Sequence, residues 1–142
     1  MDQTTMIAVT GANGHLGQRL LRRLAPHGPV RALVRSPRAA ERVAALGLGR
    51  AVDVRIVDYT DAAALGAALD GCRAAVHLVG ILKEGRRSHY REAHEDTCEA
   101  LAEAAAGAGL EQLVYLSIVG AGPSSDNACL ASKGRAERIL LD

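Results

Sequence analysis

Short apolar runs alternate with amphipathic segments along the whole chain. The apolar runs predict five strands, at 6–10, 30–34, 52–57, 74–79 and 113–116. Apolar residues at helical spacing predict helices at 14–25, 37–46, 61–69, 88–106 and 127–141. Strands that alternate with helices indicate right-handed βαβ crossovers and a parallel sheet. We therefore predict an α/β fold, a Rossmann-like doubly wound parallel sheet of order 3-2-1-4-5 with helices on both faces.

One predicted strand differs from the other four. Asp53 and Arg55 interrupt the run 52–57, whereas the other strands are nearly continuous apolar runs. A continuous run is typical of a strand that is covered on both faces. The alternating run suits the edge position that the predicted order gives to the third strand.

The composition fits one domain over residues 1–142. Hydrophobic residues make up 49% of the chain, charged residues 23%, and the net charge is +1, so we expect no nucleic-acid partner. The chain has three widely spaced cysteines, Cys72, Cys98 and Cys129. An odd number at this spacing favours reduced thiols in the cytoplasm. No signal peptide is evident and no apolar run has the length of a membrane span, so we expect no membrane insertion.

A glycine-rich loop joins the first predicted strand to the first helix. Its sequence is Thr10-Gly11-Ala12-Asn13-Gly14-His15-Leu16-Gly17. In a dinucleotide-binding loop the first glycine permits the turn, the second lets the pyrophosphate approach, and the third lets the helix pack on the strand. The helix N-terminus then offers N–H groups to the phosphates. The alternative is a tight turn that binds nothing.

This glycine spacing resembles that of the short-chain dehydrogenase/reductase superfamily, closest to its atypical and extended branch. There the chain is similar to NmrA-like redox sensors and to the nucleotide-binding accessory subunit of respiratory complex I. The resemblance covers nearly the whole chain. It continues through residues 32–37, 76–82, 90–94, 113–117 and 131–137.

The end of the second strand bears on the choice of cofactor. A site that prefers NAD has an acidic residue there. This chain has Arg35, with Arg31 and Arg38 nearby and no carboxylate before Glu41. A guanidinium pairs with a 2′-phosphate, so we predict NADP(H), with NAD as the alternative. The competing interpretation is a solvated basic edge.

Other cofactor contacts follow the third and fourth strands. The resemblance implies that Asp58, with Tyr59 behind it, contacts the adenine edge; a turn or cap role for Asp58 is the alternative. Val79, Gly80 and Ile81 lie at the carboxyl edge, where ligands bind in open α/β sheets. Gly80 would let the backbone approach the cofactor ribose.

The catalytic pair of the superfamily is a tyrosine followed four residues later by a lysine. Lys133 matches the lysine, but Cys129 stands where the tyrosine belongs, and no tyrosine follows Tyr115. A thiol can transfer a proton, but it is too short to reach the same oxygen. Ser117 matches the first serine after strand five, whereas the catalytic serine often lies two residues later. Tyrosine-type chemistry is therefore predicted to be absent or weak.

Lys133 can still bind the ribose hydroxyls without a tyrosine. The alternative is an exposed lysine with Glu137 one turn away. His94 and Cys98 resemble part of a zinc helix without a third ligand, and we predict no metal. His77 is expected to be a hydrogen-bonded core histidine, and His15 either touches a phosphate or faces solvent. The charged stretch 83–91 is expected to form a mobile loop near the nicotinamide.

These observations predict an NAD(P)-binding protein with a sensor, scaffold or accessory role. The alternative is an active oxidoreductase or a nucleotide-sugar epimerase- or dehydratase-like enzyme; a purely structural role without nucleotide is a third. Members of the similar superfamily continue with further strands and a substrate region. The fifth strand is thus expected as a bare edge, which predicts a homodimer or a larger protein complex through helices 88–106 and 127–141.

Overall fold

A computed structural model describes residues 5–142. Five parallel strands form one sheet in the order β3-β2-β1-β4-β5, which confirms the predicted fold class and strand order. The strands are β1 (Met6–Thr10), β2 (Val30–Val34), β3 (Val52–Ile56), β4 (Cys72–His77) and β5 (Gln112–Tyr115).

Five α-helices connect and flank the strands. They are α1 (His15–Leu24), α2 (Pro37–Ala44), α3 (Ala62–Leu69), α4 (Thr97–Ala108) and α5 (Ala128–Leu141). Side chains cap three of them: Ser36 accepts the N–H of Ala39, Asp61 that of Ala64 and Asn127 that of Leu130. No side chain caps α1, so the N–H groups of its first turn remain available to a ligand.

Two elements differ from their predicted form. The predicted strand 74–79 begins at Cys72 and ends at His77, because its partner β1 ends at Thr10 and the chain then turns away. Residues 79–81 therefore form a loop beyond the carboxyl end of β4. The predicted helix 88–106 is a π-helical turn over Arg91–Asp96 followed by α4. Such wide turns are frequent at functional sites.

The core is aliphatic and lies on both faces of the sheet. Consecutive residues of β1 point to opposite faces: Val9 packs in the cluster with Leu21 of α1, and Ala8 in the cluster with Leu65 and Leu101 of α3 and α4. The helices therefore cover both faces, as predicted. No helix within residues 5–142 is both long and apolar enough to cross a membrane.

Candidate functional site

The glycine loop leaves β1 in a conformation that only its glycines allow. Gly11 has a φ of 62°, and a Cβ there would lie 3.2 Å from the Leu78 backbone. A Cβ on Gly17 would overlap the backbone of Gly11 and Ala12. Gly14 is exposed at the start of α1. The loop is therefore packed tightly against the strand ends and presents the open end of α1.

Tyr59 ties this loop to the neighbouring strand. Its hydroxyl accepts a hydrogen bond from the Gly11 N–H at 2.9 Å and donates one to the Leu33 carbonyl at 2.7 Å. The ring is 7% exposed, and burial raises the pKa of Tyr59 to about 12. The phenol therefore stays neutral and bridges the glycine loop and the end of β2.

A cleft of about 280 Å³ lies at the carboxyl ends of the strands. It brings together nine of the residues predicted to bind the cofactor, from the glycine loop and from the ends of β2, β3 and β4. They are Gly11, Asn13, Gly14, Arg35, Asp58, Tyr59, Val79, Gly80 and Ile81. Residues after β4 also line the cleft. The stretch 83–91 was expected near the nicotinamide but without individual residues, and nothing in the sequence indicated those in the π-helical turn and α4; the lining residues are Arg87, Ser88, His89, Glu92, Ala93 and Thr97.

The other predicted residues of the loop do not line this cleft. His15 and Leu16 are exposed on the first turn of α1, and Gly17 is buried behind it. Thr10 is buried and accepts the Leu78 N–H at 3.1 Å. Its hydroxyl also lies 2.7 Å from Nδ1 of His77. Thr10 therefore holds the strand ends together.

His77 is the hydrogen-bonded core histidine that the sequence predicted. The Thr97 hydroxyl donates to the Ala93 carbonyl at 2.7 Å, so it can accept from Nε2 of His77, 3.5 Å away. Nδ1 then accepts from Thr10. Burial, with a smaller effect from Lys133, lowers the pKa of His77 to about 3. This neutral imidazole links β1, β4 and α4 beneath the cleft.

Charged groups line the rim of the cleft. Arg35 is exposed after β2, and Arg87 lies in the segment after β4. Asp58 lines the cleft and is also a turn residue, since it accepts from the N–H and hydroxyl of Thr60 at 2.9 and 2.7 Å. These hydrogen bonds lower the pKa of Asp58. Arg31 instead is 8% exposed inside the sheet, pairs with Asp53 and donates to the Ala68 and Asp70 carbonyls.

A second cavity of about 180 Å³ adjoins the cleft at Gly80. Lys133 lines it and is 8% exposed, so the alternative of an exposed helix lysine is wrong. Its Nζ donates to the Leu116 carbonyl at 2.9 Å and lies 3.5 Å from the position of a Cβ on Gly80. Burial lowers the pKa of Lys133. The ammonium is therefore held between the ends of β4 and β5.

His94 fixes the backbone where the two cavities meet. It is fully buried, and its Nε2 lies 3.0 Å from both the nitrogen and the oxygen of Ile81. Burial and Lys133 lower the pKa of His94, so the ring is neutral. Its Nδ1 has no hydrogen-bond partner among residues 5–142, and these residues contain no group of three or more His, Cys, Asp or Glu side chains that could hold a metal.

The predicted catalytic positions lie near Lys133, and none of them carries a phenol. The Cys129 thiol is 8% exposed and donates to the Ile81 carbonyl at 3.6 Å. Ser117 lines the second cavity, and its hydroxyl has no hydrogen-bond partner among residues 5–142. Lys133 lies 4.3 Å above the ring of Tyr115, and burial raises the pKa of that phenol. Tyr115 therefore makes a cation–π contact with Lys133, and its phenol stays protonated.

A polar cluster links α5, the helix that carries Lys133, to the π-helical turn. Arg135 donates to both carboxylate oxygens of Glu95, at 2.9 and 3.2 Å. The buried Ser132 hydroxyl lies 3.0 Å from the same carboxylate and 3.1 Å from the Tyr90 carbonyl. Burial raises the pKa of Glu95, but these hydrogen bonds outweigh it and lower the pKa overall. The cluster could not be read from sequence, because Glu95 and Arg135 are 40 residues apart.

A family profile described as NAD(P)H-binding matches residues 11–140 of the chain. The chain belongs to this NAD(P)H-binding family. The match spans the glycine loop, both cavities and most of α5. The family binds NAD(P)H, the cofactor class that the glycine loop and the strand order predicted.

Relatives with assigned activities match most of this chain. The (4-alkanoyl-5-oxo-2,5-dihydrofuran-3-yl)methyl phosphate reductase of Streptomyces griseus is 42% identical over 80% of the chain and 35% of its own length. Quinone oxidoreductase 2 of Escherichia coli is 34% identical over 84% of the chain and 38% of its own length. The chain therefore spans less than half the length of these relatives.

Solved structures share the fold of this NAD(P)H-binding chain. The NADPH-dependent quinone oxidoreductase of Escherichia coli, complexed with NADPH, has a TM-score of 0.74 at 30% identity over 96% of this chain and 45% of its own. A mutant uronate dehydrogenase from Agrobacterium tumefaciens, complexed with NAD, has a TM-score of 0.76 at 28% identity over 95% and 54%. These likenesses confirm the resemblance to the short-chain dehydrogenase/reductase superfamily.

Proposed function

We propose that the chain binds NADP(H) in the 280 Å³ cleft and serves as a sensor, scaffold or accessory unit with little or no tyrosine-type turnover. The glycine loop and the N-terminus of α1 would hold the pyrophosphate. Arg35 would hold the 2′-phosphate, and Asp58 would lie near the adenine. Lys133, close to Gly80, would bind the ribose next to the nicotinamide, whose bound form supplies or accepts hydride.

The preference for NADP(H) rests on Arg35 at the rim. No carboxylate pairs with its guanidinium within residues 5–142, so it is available to a phosphate. A charge-assisted hydrogen bond contributes about 1.5–3 kcal/mol, so NADPH should bind about 10- to 100-fold more tightly than NADH. Arg35→Gln should abolish this difference. Arg38→Gln is the matched control, since Arg38 is exposed on α2 outside the cleft.

Calorimetric titration of NADPH and NADH tests both the site and the preference. Equal affinities would contradict the assignment of Arg35. A ligand at 100 times its Kd that binds only the native state stabilises it by about 2.7 kcal/mol. An unchanged Tm with either saturating nucleotide would therefore contradict nucleotide binding and favour a purely structural role.

The low turnover rests on one observation: the side chain four residues before Lys133 is a thiol directed at the Ile81 carbonyl. A general acid must lie within hydrogen-bond reach of the oxygen that it protonates. We expect NADPH to remain unoxidised over a panel of carbonyls and quinones. The assay is absorbance at 340 nm, with the Escherichia coli quinone oxidoreductase as positive control.

A second candidate function is an active oxidoreductase, favoured by the names of the relatives that match the chain. Ser117, Cys129 or a water would then replace the tyrosine, and Ser117 lines the same cavity as Lys133. Substrate-dependent oxidation of NADPH that Lys133→Met abolishes would support this candidate. Retention of that activity in Cys129→Ser would exclude the thiol as the proton donor.

The edge of β5 supports a homodimer or a larger complex. Val114 lies in β5 and Leu116 follows it; they are 44% and 50% exposed, and within residues 5–142 β5 pairs with β4 alone. Exposed strand edges tend to be paired or covered. Sedimentation of the purified chain should show a dimer, and a monomer at high concentration would contradict self-association.

A further inference from the structure

The segment between β4 and the π-helical turn, residues 82–90, has a defined local structure. The Gly85 N–H donates to the Ser88 carbonyl at 3.0 Å, and the two residues form an antiparallel bridge. The Tyr90 N–H donates to Glu84 at 3.0 Å, and the Tyr90 hydroxyl donates to the Leu82 carbonyl at 3.1 Å. The segment is therefore a short closed loop, and these contacts determine which of its side chains face the cleft.

Two adjacent arginines in this segment have different surroundings. Arg87 lines the 280 Å³ cleft together with Ser88 and His89, whereas Arg86 does not. Both are exposed, and neither pairs with a carboxylate within the part of the chain that the structure describes. Glu84 is engaged by the Tyr90 N–H and lies 3.7 Å from His89. Arg87 is thus a cation that makes no ion pair within residues 5–142, in a cleft that Asp58 and Glu92 also line.

Arg87 and Arg35 reach the cleft from different strands. Arg35 follows β2, on one side of β1, and Arg87 follows β4, on the other side. The open N-terminus of α1 lies between them, after β1. Two guanidinium groups and a helix N-terminus around one cleft all favour an anionic ligand, and a guanidinium can bind phosphate oxygens in a bidentate manner.

We propose that Arg87 is a second phosphate-binding residue for the dinucleotide, which holds it from the side of the cleft opposite Arg35. This inference rests on the proposed function, because it requires the nucleotide to lie in this cleft. The phosphate oxygens would belong to the 2′-phosphate or to the pyrophosphate. Both groups present the same phosphate oxygens, but NADH contains only the pyrophosphate and lacks the 2′-phosphate.

Calorimetric titration of the whole chain with NADPH and NADH tests the proposal. Arg87→Gln should weaken NADPH binding about tenfold, the loss expected for one charge-assisted contact. Arg86→Gln is the matched control, because it removes the same charge from the same segment outside the cleft. It should change the affinity less than about twofold. Arg87→Lys keeps the charge without the planar fork and should lie between wild type and Arg87→Gln.

The nucleotide pair identifies the phosphate. A tenfold loss for NADPH with unchanged NADH binding assigns Arg87 to the 2′-phosphate, and equal losses assign it to the pyrophosphate. Equal NADPH affinities for Arg87→Gln and Arg86→Gln, with intact binding by the wild type, would overturn the role of Arg87 alone. A wild type that binds neither nucleotide would overturn the proposed function as well. Equal Tm values of the unliganded variants exclude misfolding, since both side chains are exposed.

Discussion

Replacing Tyr59 with phenylalanine removes one oxygen atom and leaves the ring in place. That oxygen carries two hydrogen bonds, from the Gly11 N–H and to the Leu33 carbonyl. The Leu33 carbonyl keeps a longer bond from the Ala12 N–H at 3.4 Å. The Gly11 N–H loses the partner that it has in the described chain. The change therefore leaves one backbone donor without its protein partner in a partly buried position.

The expected cost follows from these contacts. A net hydrogen bond contributes about 0.5–1.5 kcal/mol, and a buried unsatisfied group costs about 1–3 kcal/mol. The Leu33 carbonyl is partly compensated, so we expect Tyr59→Phe to lower the free energy of unfolding by about 2–3 kcal/mol. With a urea m-value of about 1–3 kcal/mol/M, the midpoint should fall by about 0.7–3 M at unchanged m.

Urea titration followed by circular dichroism measures this loss. Tyr90→Phe is the matched control, because the Tyr90 hydroxyl makes one exposed hydrogen bond, to the Leu82 carbonyl. It should cost less than about 0.5 kcal/mol. Equal midpoints for the two variants would refute the bridging role of Tyr59.

The pH dependence of the free energy of unfolding above pH 10 gives an independent test of the role of Tyr59. Its pKa is about 12 in the folded chain and about 10 when the chain unfolds. The folded state resists ionisation, so this contribution is present below pH 10 and is lost as the pH rises from 10 to 12. The difference in stability between wild type and Tyr59→Phe should therefore shrink over that range. A constant difference would contradict the raised pKa.

Three further changes have defined outcomes. The pKa of His77 is about 3 in the folded chain and 6.5 in the free side chain, so the free energy of unfolding should fall as the pH drops from 6.5 toward 3. In urea titrations, His77→Gln should reduce the slope of this free energy against pH by up to about 1.4 kcal/mol per pH unit, and an unchanged slope would contradict the lowered pKa. Gly17→Ala should lower Tm and abolish calorimetric NADPH binding, because its Cβ overlaps the Gly11 backbone, and wild-type binding would refute this. Lys133→Met should weaken NADPH binding without lowering the free energy of unfolding in urea, and a loss of stability with intact binding would contradict it.

The fold was predictable because short apolar runs identify the strands and apolar residues at helical spacing identify the helices. Continuous apolar runs distinguish the other four strands from the run at Asp53 and Arg55, and β3 is indeed at an edge of the sheet, as β5 is at the other. The glycine loop and the positions after each strand then converge, because parallel strands place their carboxyl ends at one side of the sheet. Nine predicted residues meet in the cleft for this reason alone.

The missed features depend on contacts between distant segments. The Tyr59 hydroxyl reaches the Gly11 N–H 48 residues away, and His94 reaches Ile81 across the π-helical turn. No local periodicity distinguishes a tyrosine that bridges two backbone groups from one that only fills the core. Arg87 could not be singled out from sequence for another reason. Within a charged stretch, the closed loop at Gly85 and not the composition determines which arginine lines the cleft.

The burial of Lys133 connects the structure to its proposed role. Lys133 as a residue is 8% exposed, and within residues 5–142 the one hydrogen bond of its ammonium goes to the Leu116 carbonyl. The ring of Tyr115 offsets part of the cost of its burial. An ammonium has three donors, so two remain for the cavity beside Gly80. A buried lysine that keeps spare donors beside a cavity supports the proposal that a polar ligand binds there. The ribose of a bound dinucleotide would be such a ligand, without any need for the missing tyrosine.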